Sequence, residues 1–266
     1  MKVIHPQGAF NNVPPENVFI AVDEMGTQVG YGYIIYQYQE HLYPDCPINM
    51  YFTIDSQPAG RYLIFGALIA RARQLRDNNP NVHACAYTGI NPEDNMSREF
   101  YVHNGMSCDE TENTYRLTML GGDGRIPMGT SVEPTPLNTI DDQQALLNRL
   151  QANDVSYIDM NYLHQIMRLP HFQAIGMFNG NALVGEAIVA GTGNACELQA
   201  IYINPNYRRQ GLAKALLGRC MAMMSAEGVM NFTARFVTRS APQQGLARAF
   251  QAADLGADMV FPGLYL

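Results

Sequence analysis

One order of secondary-structure elements occurs twice in this chain, and that repetition limits what it can fold into. Apolar spacing reads as hairpin, strand, helix, strand, helix in each half. The first half has a hairpin at 18–22 and 29–38 around Asp23-Glu24-Met25-Gly26, a strand at 50–54, a helix at 62–75, and strands at 83–87 and 115–119. In the second half two helices come first, at 141–150, capped by Thr139 or Asn138, and at 161–169. A hairpin follows at 174–178 and 183–189 across Asn179-Gly180-Asn181, then a strand at 198–203, a helix at 212–224, a strand at 231–237 and a helix at 245–254. Between the halves, Gly121-Gly122-Asp123-Gly124-Arg125-Ile126-Pro127-Met128-Gly129 is a run of breakers. The expectation is therefore two α/β (α+β) domains in tandem, at 1–121 and 137–266, joined by a linker at 122–136.

Composition narrows the function classes. Of 266 residues, 47% are hydrophobic and 15% charged, enough to build a core, and no apolar run approaches the length of a membrane span. Residues 1–10 hold His5, Pro6, Gln7 and Gly8 in place of an apolar block, so no secretory signal is read there and the cytoplasm is the expected location. The net charge of -7 argues against nucleic acid or an anionic membrane as partner. Cys46, Cys85, Cys108, Cys196 and Cys220 show no metal-binding or redox spacing, so reduced thiols and no metal are expected. His164 and His171 likewise lack the spacing of a helical metal pair. Tyr31, Tyr33, Tyr36 and Tyr38 on one strand read first as half-buried strand residues rather than as a cage for a cation.

The cations are concentrated at one junction. The segment Glu197-Leu198-Gln199-Ala200-Ile201-Tyr202-Ile203 reads as a strand and runs into Asn204-Pro205-Asn206-Tyr207; then Arg208-Arg209-Gln210-Gly211-Leu212-Ala213-Lys214 opens a helix. Such a strand-turn-helix junction aims backbone N–H groups and a helix N-terminus at one point, which is an anion site. Gly211 and Ala213 have almost no side chain, so a diphosphate can approach the amides. Arg208, Arg209 and Lys214, one of two lysines in the chain, add charge.

Here the sequence resembles the GNAT superfamily of acetyl-CoA-dependent N-acetyltransferases, whose pyrophosphate loop reads Arg/Gln-x-x-Gly-x-Gly/Ala. Arg208-x-x-Gly211-x-Ala213 agrees at each fixed position, and the resemblance extends over about 137–266. It implies acetyl-CoA as co-substrate, bound by Ile201, Tyr202, Ile203, Arg208, Arg209, Gln210, Gly211, Leu212, Ala213 and Lys214. It also implies, in each domain, a mixed, twisted sheet flanked by helices, with a central strand that splays from its neighbour to admit the pantetheine arm, and an oxyanion-stabilising N–H near Ile201 to Ile203. Glu197 stands where many members carry the general base, with Glu186 a lesser candidate. The usual acid, a tyrosine in Leu-Tyr-x-x-x-Gly-Phe, is poorly matched: Gln251 falls at its place, leaving Tyr265 or water.

The first half shows the reverse pattern. Phe100-Tyr101-Val102-His103-Asn104-Gly105-Met106 is close to the tyrosine signature, yet Gln57-Pro58-Ala59-Gly60-Arg61-Tyr62 puts a bulky ring in the phosphate loop, and 50–54 has no acid. It reads as a degenerate GNAT-like domain that would shape an acceptor pocket or replace the partner subunit of a dimer. The whole is expected to be a monomer or homodimer that acetylates a small-molecule primary amine. The alternative is a CoA-binding or sensory module without turnover.

Overall fold

The computed structural model describes residues 1–10, 12–118 and 125–266. The glycine-rich start of the expected linker, 122–124, and 119–121 before it, with the end of an expected strand at Met119, lie outside the described residues. The chain forms two compact units: Met1–Thr111 with Asp258–Leu266, and Glu112–Ala257. The C-terminal residues thus belong to the first unit, although sequence order places them after the second.

In the first unit the strands are β1 (Lys2–Ile4), β2 (Val18–Val22), β3 (Gln28–Tyr38), β4 (Ile48–Ser56) and β5 (Ala84–Tyr87), with helices α1 (Pro58–Asp77) and α2 (Asn95–His103). Strand β6 (Ser107–Leu117) starts here and continues into the second unit. The β2–β3 hairpin turns where Asp23 Oδ1 accepts from the Met25 and Thr27 amides, at 2.9 and 2.8 Å. Strands β1 to β4 pair antiparallel and β4 runs parallel to β5, so the sheet is mixed. Its β5 edge is closed by the chain's final residues, Gly263 to Tyr265 pairing with Tyr87 to Cys85. Helix α1 buries Ile64, Phe65, Leu68 and Ala72 against Ile34, Met50 and Phe52.

The second unit continues with β7 (Thr130–Pro134), α3 (Ile140–Gln151), α4 (Met160–Met167), β8 (His171–Asn179), β9 (Ala182–Thr192), β10 (Ala195–Ile203), α5 (Leu212–Ala226), β11 (Asn231–Val237) and α6 (Ala241–Ala249). The last strand, β12 (Ala253–Tyr265), leaves this unit after Ala257. Two expectations need correction. Thr130–Pro134, inside the expected linker, is a strand paired with β8. The expected helix at 245–254 ends at Ala249, because Gln251 takes a positive φ of 47° and the chain turns into β12.

Of the two proposed caps, Thr139 is the one used: its hydroxyl accepts from the Asp142 amide while the Asp142 carboxylate accepts from the Thr139 amide, at 3.1 Å each. The sheet order in this unit is β6-β11-β10-β9-β8-β7, with β10 and β11 parallel. One face packs on α5 and α6 through Ile175, Met177, Leu216, Met221, Phe232 and Phe250. The other packs on α3 and α4 through Leu146, Leu150, Leu163, Ile188, Ala200 and Tyr202. Among the described residues no helix is long and apolar enough to cross a membrane, and no cluster of His, Cys, Asp and Glu is arranged to hold a metal.

Candidate active site

Strand β10 carries an irregularity that organises everything near it. Against β9, Leu198 faces Val189 but Ala200 faces Ile188, so Gln199 is an extra residue, a β-bulge. On the other side the parallel ladder to β11 ends at Leu198↔Ala234, although β10 runs on to Ile203 and β11 to Val237. Beyond the bulge, β10 is paired on its β9 side alone. The Asn204 amide donates to the Val184 carbonyl at 2.8 Å. By the alternation of an antiparallel ladder, the backbone groups of Ala200 and Tyr202 also point to β9, and the N–H groups of Ile201 and Ile203 point to the unpaired side. That is the splay the sequence resemblance implies. Tyr202 departs from expectation, because its amide faces β9 and its side chain is engaged elsewhere.

The turn that follows is built to bring a helix end to this gap. Asn204 Oδ1 accepts from the Asn206 amide at 3.1 Å and starts a short 3-10 turn, Pro205–Tyr207. Arg208 Nε donates to the Ile203 carbonyl at 2.8 Å, which ties the loop back to the strand. Arg209 and Gly211 both have left-handed backbone, with φ of 61° and 77°, and Gly211 is the N-cap residue of α5. A Cβ added at Gly211 would meet nothing within 4 Å, so there is open space beside the N-cap residue of α5. Arg209, Gln210, Gly211 and Lys214 are exposed and Leu212 is buried beneath them. The first amides of a helix have no acceptor within it, and with the dipole they favour an anion. These residues fit a diphosphate.

Two carboxylates lie on the α3–α4 side of the sheet, in different states. Glu186 is 1% exposed. Its Oε2 accepts from Arg149 Nε at 2.8 Å and the Tyr202 hydroxyl at 2.6 Å, and its Oε1 from Arg149 Nη2 at 2.9 Å and Thr135 Oγ1 at 3.2 Å. Burial and the adjacent Glu186 charge push the Tyr202 hydroxyl well above its ordinary pKa. With four donors and no solvent access, Glu186 is a structural residue that ties β9 to α3 and β10. Glu197 is partly exposed and forms a single ion pair: its Oε1 lies 2.6 Å from Arg235 Nε, with side-chain exposures of 31% and 47%. Arg235, on β11, is a site residue that sequence reading missed, since nothing local links positions 38 apart.

Of the candidate acids, Tyr265 is in the first unit, where its hydroxyl donates to Glu110. Gln251 sits in the left-handed turn after α6. His164 Nε2 is 2.8 Å from Gln143 Oε1 and His171 Nε2 2.7 Å from the Gly193 carbonyl.

The acetyltransferase (GNAT) family model matches residues 143–251. That stretch spans α3 to the end of α6 and holds the bulge, the splay and the loop. That family is one of acetyltransferases. Among solved structures, a GCN5-related N-acetyltransferase from Sphaerobacter thermophilus matches with TM-score 0.50 at 12% identity, over 95% of this chain and 81% of that one. A probable N-acyltransferase from Enterococcus faecalis V583 matches with TM-score 0.54 at 12% identity, over 92% of this chain and 61% of its own. At such identity these likenesses show a shared fold. No curated protein matches the sequence.

Proposed function

We propose that the second unit transfers the acetyl group of acetyl-CoA to a primary amine, and that the amine belongs to a small molecule. The observation that carries this reading is the coincidence, at one strand end, of unpaired Ile201 and Ile203 amides with the N-terminus of α5 and the open space beside its N-cap residue. The loop residues Arg208 to Lys214 would hold the diphosphate, and Ile201 and Ile203 would run alongside the pantetheine arm in place of a β11 ladder. Acetyl-CoA supplies the acyl group as an activated thioester. An N–H of this strand, fixed in advance, would stabilise the negative charge that develops on the carbonyl oxygen. Glu197, on the face opposite α5, would take the proton from the attacking nitrogen.

The ion pair to Arg235 does not bar that role. Both side chains are partly exposed, and such pairs contribute only about 0–1 kcal/mol, so an acceptor ammonium can replace the guanidinium at little cost. The partly exposed Glu197 carboxylate and an acidic chain favour a cationic acceptor.

Release of free thiol from acetyl-CoA is the direct test, run with a panel of small primary amines. Amine-dependent release supports transfer. Thermal protection by CoA with no release for any amine would instead identify a CoA-binding module, the reading favoured by the missing tyrosine at Gln251.

A further inference from the structure

A bulge leaves a backbone carbonyl without its ladder partner, and a buried carbonyl needs one. Gln199 is 7% exposed. Its carbonyl accepts from the Tyr157 hydroxyl at 2.7 Å, and its side-chain Oε1 accepts from the Tyr162 hydroxyl at 2.6 Å. Its Nε2 donates to the Glu197 carbonyl at 3.4 Å. Tyr157 lies in the connection between α3 and α4, and Tyr162 in the first turn of α4. Two hydroxyls from one side of the sheet therefore grip the single residue that puts β10 out of step.

The consequence follows from strand parity. Before the bulge Cys196 faces α5, and after it Ile203 does, while Ala200 and Tyr202 face α3 and α4. If the extra residue slipped back into the ladder, every later side chain and amide of β10 would change sides. The Ile201 and Ile203 amides would then point to β9.

We propose that Tyr157 and Tyr162 are positioning residues that lock the Gln199 bulge, and so fix which β10 amides face the thioester. This rests on the acetyl-transfer reading for its purpose but not for its existence. The side of the site that would meet the amine is thereby bonded to the strand that would polarise the thioester, through one residue.

Hydrogen exchange on the full chain, with Tyr157→Phe and Tyr162→Phe, tests the lock. Exchange of the Ala200 and Tyr202 amides should quicken by about tenfold, the factor one lost hydrogen bond to a buried acceptor carries, while β8 keeps its protection. Unchanged exchange in both variants, or equal acceleration throughout the second unit, overturns the proposal. Tyr157 is 63% exposed, so its variant disturbs no core packing if Tyr162→Phe proves unstable. In thiol release each variant should lose about tenfold in kcat with the KM for acetyl-CoA within about twofold, and the double variant should be little worse than either. Wild-type turnover that survives both substitutions also overturns it. A wild-type protein without turnover would sink the acetyl-transfer reading alone, and the exchange measurement would still decide the lock.

Discussion

The two units use the same strand-to-helix junction in opposite ways. In the second, residues 204–211 separate β10 from α5, the strand is bulged, and Gly211 leaves open space beside the helix N-cap. In the first, β4 pairs with β3 in unbroken register from Gly30↔Ser56 to Tyr38↔Ile48, and only Gln57 separates Ser56 from α1. Pro58 then opens the helix and removes one of the amides an anion would use. Gly60 is there for closeness: a Cβ on it would lie 2.8 Å from Ser56 Oγ and 3.1 Å from Val29. Arg61, which a phosphate loop would turn outward, donates to Ser97 Oγ at 3.0 Å and stacks 4.2 Å from the centre of the Phe100 ring. The same fold thus gives an open loop where the strand is interrupted and the turn is long, and a packed joint where neither holds.

The largest effect that would sharpen this contrast comes from placing valine at each glycine. Gly211→Val puts a β-branched side chain at φ 77° and in the open space beside the N-cap of α5, so CoA binding should fall below detection while the protein still melts cooperatively. Gly60→Val should do the reverse, lowering stability by about 1–3 kcal/mol through overpacking and leaving CoA affinity unchanged. Titration calorimetry should return one CoA per wild-type chain. Two sites, or a Gly211 variant with native affinity, would break the comparison.

Next in size is Glu197→Gln; on β4 of the first unit the acid is Asp55, at the end of the strand next to α1 and not near its start. Turnover should drop by roughly 100-fold to 10,000-fold with CoA affinity retained, and the acidic limb of the pH–rate profile should flatten. Equal losses in binding and turnover would make the Glu197–Arg235 pair a structural tie across the mouth of the splay.

How far the sequence reveals these differences depends on whether the cause is local. The Arg208-x-x-Gly211-x-Ala213 loop was readable because small residues and cations are needed at fixed places, and Thr139 because a cap acts within one turn. The bulge was not, since Glu197-Leu198-Gln199-Ala200 contains no glycine and reads as ordinary strand; its partners Tyr157 and Tyr162 are 42 and 37 residues away. Strand β7 was hidden because Thr130–Pro134 lacks alternation and follows Pro127 and Gly129. The fate of β12 was hidden for a different reason. Nothing within Ala253–Tyr265 records that its last residues pair with β5.

A smaller effect is expected from Arg208→Ala. Its Nε is committed to the Ile203 carbonyl, so this side chain contributes to the loop's shape as well as its charge. The loss for CoA should be about fivefold to tenfold, that of one partly hydrated cation, and should shrink as salt is raised. A loss as complete as that of Gly211→Val would mean that charge, and not the open space at Gly211, carries the site.

The smallest effect is the one that the tyrosine signature makes tempting to overestimate. Tyr101 stands in Phe100-Tyr101-Val102-His103-Asn104-Gly105, close to the signature whose tyrosine the resemblance makes a proton donor to the leaving thiolate. Here the ring is 3% exposed. It packs edge-on to Phe52 and Phe100, at 6.1 and 5.1 Å, and tilted against Phe65 at 6.1 Å. Burial pushes its hydroxyl above the ordinary tyrosine range, against the opposing influence of Arg61. A phenol sealed in an aromatic cluster, in a unit whose helix starts on proline, has no thiolate to meet. Tyr101→Phe should leave thiol release within about twofold of wild type, with a modest loss of thermal stability from the hydrogen bonds that Arg61 and Thr88 share with that hydroxyl. A tenfold fall in turnover with unchanged melting would show that the first unit takes part in the chemistry, and the contrast between the two junctions would no longer mark which one is active.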